Sequence, residues 1–243
     1  MNILASIFSN KKYSTNIHLT SDQEKFKNIV KIPSNIDTNK SLNNIRFAAI
    51  DVETTGFKPH IGDKVLSLGA VILEQGKVNE NNTFYELINP NRNIPKVITK
   101  LTGIDEQMVI NKPSLIEILP DFFTWVGDSI LVGHIINFDI SFINQCLSHE
   151  CGSKIKYKNI DTREIITSLY PHFTNCSLEE ICSSLGISTN NRHNALGDSI
   201  MAAKIFEISI KELAKRGVYT LEDLFNFTRD RQFFASPLPQ ISI

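Results

Sequence analysis

The chain has 243 residues, enough for one full domain with extensions or two small ones. Its mix of apolar and charged residues suits a globular protein that buries a core, and no apolar run is long enough to span a bilayer. A formal net charge of −1 excludes bulk electrostatic capture of nucleic acid, so any polyanion must be held by a few contacts or by cations.

Residues 1–44 are rich in Asn, Ser, Lys and Thr and read as an N-terminal extension, partly disordered. Within it "SDQEKFKNIVKI" predicts a short helix capped by Ser21 or Asp22, and "PSNIDTNKSLNN" a linker. The opening "MNILASIFSNKK" places its positive charge after its apolar patch, which is the wrong order for a signal peptide. The four cysteines, Cys146, Cys151, Cys176 and Cys182, form no C-x-x-C pair; reduced thiols in a cytoplasmic protein are expected.

From Arg46 the pattern tightens. "RFAAIDVE" predicts a strand that is apolar on both faces until its acids, as a central strand is. "KVLSLGAVILE" predicts a second strand, and "EQGKV" a hairpin turn into a third, "NNTFYELINP", stopped by Pro90. "IPKVITKLTG" predicts a short helix between Pro95 and Gly103. "PSLIEILPDFFTWVGD" predicts a helix kinked or broken at Pro120. A short strand "SILVGH", a helix over "FDISFINQCLSHE", a strand "YKNIDT" and a helix "REIITSLYP" follow.

"SLEEICSSLGI" opens on a capping box, Ser177 with Glu180, and ends at Gly186. "NALGDSIMAAKIFEISIKELAKRG" predicts the longest helix, closed by Gly217. Residues 218–243 read as a short helix, "TLEDLFNF", and a loose tail. Three strands followed by alternating strands and helices imply an α/β domain over residues 45–217, a mixed five-stranded sheet flanked by helices.

The stretch "DVETTGF" poses a problem of charge. Side chains two apart on a strand point the same way, so Asp51 and Glu53 aim two carboxylates at one point beside a core. Like charges there are costly without a compensating cation. A solvated strand end would also carry acids, but the preceding run is too apolar and the Thr-Thr-Gly turn too specific for that. Two further acids open helices: Asp139 after "LVGHIINF" and Asp198 in "RHNALGDS". Taken singly, each suits the positive end of a helix dipole and needs no other purpose. Taken together, they follow or open elements that pack on one sheet. His193 and Asp198 are five apart, about 140° on a continuous helix, so they serve one point only if His193 lies on the loop before it. Asn194 is then the helix cap.

"DVETTG", "GHIINFD" and "RHNALGDS", in this order, resemble the three motifs of the DEDDh 3′–5′ exonucleases, and more narrowly the DnaQ-like group that includes the epsilon proofreading subunit of bacterial replicative polymerase. The resemblance runs from about Arg46 to Gly217. It implies an RNase H-like fold and two divalent cations, Mg²⁺ or Mn²⁺, on Asp51, Glu53, Asp139 and Asp198, with His193 as general base. It also implies contacts to the terminal nucleotide from Thr54, Thr55, Gly56, Phe57, Leu101, Gly103, Ile104 and Phe138, with Phe57 as an apolar wedge. One departure stands out: Ile135 occupies a place where the family usually has Asn. His134 is expected to be structural rather than a ligand.

The implied activity is release of nucleoside 5′-monophosphates from the 3′ end of DNA, single-stranded DNA above all, in proofreading or repair. An RNA exonuclease on the same scaffold is the alternative, because discrimination rests on the 2′-hydroxyl. A catalytically silent nucleic-acid-binding module is another, but it need not keep all five polar residues. A polymerase subunit is an implied partner. Gln232, Phe233 and Phe234 also faintly resemble a peptide that docks on a sliding clamp.

Overall fold

The computed structural model describes residues 36–235. The helix predicted at "SDQEKFKNIVKI" and the tail after Ala235 lie outside the described residues.

Strands β1 (Phe47–Thr54), β2 (Val65–Glu74) and β3 (Lys77–Leu87) form an antiparallel meander. Gln75 and Gly76, both at positive φ, make the tight turn between β2 and β3. Helices α1 (Lys96–Thr102), α2 (Glu106–Val109) and α3 (Leu115–Val126) follow. Next come β4 (Ile130–Gly133), α4 (Asn137–Cys151), β5 (Asn159–Asp161) and α5 (Thr162–Leu169). Helices α6 (Leu178–Ser184), α7 (Ala195–Ala214) and α8 (Leu221–Ala235) complete the described residues. The sheet order is β3-β2-β1-β4-β5, with β4 and β5 parallel to β1. The mixed five-stranded sheet expected from the sequence is therefore present, with β1 at its centre.

Alternation along β1 sorts its side chains between two cores. Ala48, Ile50 and Val52 face α3 and α4, where they meet Phe122, Phe123, Phe142 and Ile143. Phe47 and Ala49 face α7, where Phe47 packs edge-on against Phe206 with centroids 4.8 Å apart. Asp51 and Glu53 continue the α7 face by the same period of two.

Three predicted details differ. Helix α3 runs unbroken through Pro120. A break there would release Phe122, Phe123 and Val126 from the core, and their burial outweighs the lost backbone hydrogen bond. The segment read as a linker is pinned to the domain: Leu42 is buried, its N–H donates to Tyr219, and Ser41 bridges to Thr220. Helix α8 is not short: it continues to Ala235, so Gln232, Phe233 and Phe234 fall on its backbone rather than in a loose tail. Val218, Leu221 and Leu224 bury its start in the α7-side core.

Candidate active site

The C-terminal end of β1 opens into a cleft of about 430 Å³. Asp51, Glu53, Thr54 and Phe57 line it from β1 and the turn that follows, Leu101 from α1, and His134, Ile135, Phe138 and Asp139 from the β4–α4 junction. Arg192, His193 and Asp198 close it from the start of α7. A smaller cavity of about 180 Å³ around Cys146 and Glu150 contains none of these residues.

Oxygens of Asp51, Glu53 and Asp198 lie within 4.8 Å of one another. Two local devices bring Asp198 there. Asn194 caps α7, its side chain accepting from Leu196 N and Gly197 N. Gly69, the cross-strand partner of Asp51, leaves room for the first turn of α7: a Cβ at that position would collide with backbone atoms of Ala195 and Leu196. Asp139 comes from the opposite side of the sheet. Its Oδ1 accepts from the N–H of Val52, between the two β1 acids, at 3.0 Å.

The electrostatics are those of an acidic site short of positive charge. Burial, then the charge of Asp198, pushes Glu53 up to about 7. Burial also raises Asp198, to about 6, although Arg192 pulls it down. Asp51 and Asp139 are held well above the carboxylate range, first by burial and then, for Asp51, by Asp139, Asp198 and Glu53. Asp198 is only 4% exposed and its Oδ1 has no hydrogen-bond partner among the described residues. A buried acceptor left unpaired is costly. An all-oxygen donor set with an orphaned buried oxygen fits a hard divalent cation.

His193 lies in the turn before α7, one residue ahead of the cap, with φ of 61°. Burial and then Arg192 lower its pKa, which favours the neutral imidazole. His134 faces the cleft with Nδ1 3.1 Å from Thr162 Oγ1, and burial lowers it to about 4.

The predicted nucleotide contacts divide. Phe57 is 74% exposed beside Phe138, and Leu101 faces the same space. Thr54 also lines the cleft, its Oγ1 donating to Gly56 O. Thr55 and Gly56 instead build the turn: Thr55 Oγ1 donates to Asp63 Oδ1, and a Cβ on Gly56 would strike that same carboxylate. Gly103 caps α1 at positive φ, and Ile104 is buried with Leu66, Ile94 and Ile98; neither lines the cleft.

Two contributors escaped the sequence reading. Gly69 sits mid-strand, a position that signals close approach of another backbone. Arg192, in "RHNALGDS", carries no sequence signal beyond its place beside His193, yet its Nη1 pairs with Asp198 Oδ2.

Ile135 adopts φ of 66°, a strained region for a β-branched residue, and its N–H donates to Asp161 Oδ1. Asn tolerates this region better. Ile135→Asn is expected to stabilise the protein by about 1 kcal/mol, raising Tm by roughly 2–4 °C in a thermal melt. An unchanged or lower Tm would remove the strain argument.

A family profile described as Exonuclease matches residues 48–206. The chain is 34% identical over 197 residues to DNA polymerase III subunit epsilon of Aquifex aeolicus (strain VF5), covering 81% of this chain and 95% of that protein. It is 33% identical over 201 residues to the 3′-5′ exonuclease DinG of Bacillus subtilis (strain 168), covering 82% of this chain but 21% of that longer protein. In fold it is similar to the nuclease domain of 3′hExo, a DEDDh family member bound to rAMP, with a TM-score of 0.62 and 21% identity, over 71% of this chain and 95% of that one. The sheet order and its flanking helices are those of the RNase H-like exonuclease fold. With its carboxylates at the end of the central strand and the family profile spanning most of the domain, the chain belongs to the exonuclease family, in its DnaQ-like DEDDh group.

Proposed function

We propose that this protein is a metal-dependent 3′–5′ exonuclease that shortens DNA strands from the 3′ end and releases nucleoside 5′-monophosphates. The observation that carries this reading is the cluster of Asp51, Glu53 and Asp198 at the foot of a cleft rimmed by an exposed Phe57. Asp51, Glu53 and Asp198 would hold one divalent cation, Mg²⁺ or Mn²⁺, and Asp139 with Asp51 a second. Such cations neutralise a phosphodiester, acidify the attacking water and stabilise the departing oxygen.

The chain's own side chains do the rest. Phe57 and Phe138 present ring faces and edges to a terminal base, a contact tolerant of base identity. Leu101 and Ile135 exclude water along the same wall. His193, on the loop before α7 and with its pKa lowered, takes a proton from the attacking water. We place the protein in the cytoplasm, where its cysteines stay reduced; no described helix is long and apolar enough to cross a membrane. The similarity to an epsilon subunit along 95% of its length supports work beside a DNA polymerase. A sliding clamp, met through the Gln232–Phe234 segment, is the other partner to test.

The deciding assay uses strands labelled at the 5′ end: single-stranded DNA, mismatched duplex and RNA, each with Mg²⁺ or with chelator. Stepwise shortening of labelled DNA only with Mg²⁺ is expected. Release of the label as a mononucleotide, or intact strands throughout, would overturn the proposal, and faster decay of RNA would redirect it. In the same assay His193→Ala is expected to lose about 10²–10⁴-fold in turnover while binding Mn²⁺ and DNA as the parent does. Near-normal turnover would remove His193 from its role.

A further inference from the structure

Arg192 holds a position that no step of the proposed reaction uses. It stands two residues before the cap of α7, its backbone N–H bonded to Thr189 O, with its side chain reaching into the carboxylate cluster. Nη1 pairs with Asp198 Oδ2, and the guanidinium charge also acts on Asp51 and Glu53. The opposite oxygen, Asp198 Oδ1, is buried and without a hydrogen-bond partner among the described residues. Arginine therefore satisfies part of a donor set that has acceptors for more. A guanidinium is planar and charged at every relevant pH, and it cannot share the cluster with a divalent cation without strong like-charge repulsion. Its side chain is 26% exposed, so a path out to solvent exists.

We propose that Arg192 is the resident counter-ion of the metal-free site, and that the first divalent cation binds by displacing its guanidinium from Asp198. This rests on the metal-dependent reading above.

The test is calorimetric titration of Mn²⁺ into the full chain without nucleic acid. A counter-ion seated in nine of ten molecules weakens apparent affinity about tenfold. Arg192→Gln is expected to bind the first Mn²⁺ about tenfold more tightly than the parent. Lys204→Gln, which removes a charge paired with Glu80 outside the cleft, should bind as the parent does. In chelator, Arg192→Gln should melt below the parent, and saturating Mn²⁺ should close the gap. Equal or weaker Mn²⁺ binding by Arg192→Gln would overturn the proposal, as would an equal gain in Lys204→Gln. A melting gap that persists in Mn²⁺ would make Arg192 a support of the fold instead. Failure of the exonuclease reading shows separately, as undegraded DNA with the parent protein.

Discussion

Asp51→Asn is expected to lower exonuclease turnover by about 10³-fold or more while making the metal-free protein more stable. Asp51 is the carboxylate on which the charges of Asp139, Asp198 and Glu53 all act. Removing one preorganised electrostatic partner from a buried site typically costs 10²–10³-fold, and Asp51 serves both proposed cations. In chelator the same change relieves like-charge repulsion, worth about 1–2 kcal/mol, or roughly 2–8 °C in Tm.

The pH dependence has a definite sign. Glu53 and Asp198 are raised in the folded state, to about 7 and about 6. Their contribution is fully present below the unfolded carboxylate values and is lost as pH rises through those folded values. In chelator the parent should therefore gain stability as pH falls from 8 towards 5, and Asp51→Asn should show a shallower gain. Saturating Mg²⁺ should abolish the gain in the parent, because the ionised forms are then the ones stabilised. Gross unfolding of the variant, or a flat profile in the parent, would contradict the account.

Gly69→Ala is expected to damage the site without touching any of its polar residues. The added methyl meets backbone atoms of Ala195 and Leu196, which no rotamer change can move aside. The first turn of α7 must lift from β2, carrying Asp198 away from Asp51 and Glu53. Overpacking of this kind costs about 1–3 kcal/mol, and a displacement of about 1 Å at a reacting centre costs about 10²-fold in rate. Melting curves and kcat together check it: a lower Tm with unchanged kcat would show that Gly69 serves packing alone.

Much of this was legible in the sequence because period and charge gave the same answer. The apolar run before Asp51 forced a central strand, and the spacing of Asp51 and Glu53 forced a common face. The five-residue step from His193 to Asp198 placed the histidine ahead of α7, where it is found. Pro120 misled because a local rule met a stronger tertiary one: seven buried side chains hold α3 together. The hold on Leu42 was invisible because it comes from Tyr219 and Thr220, far along the chain. Arg192 was missed because its pairing depends on how the turn before α7 folds back on Asp198, which no periodic pattern encodes.

The clasp between Ser41 and Thr220 fixes where the N-terminal segment enters. It joins the sheet at the start of β1, and Asp51 and Glu53 stand four and six residues further along, roughly 13 and 20 Å away at the rise of an extended strand. The molecule thus has its handle and its jaw at opposite ends.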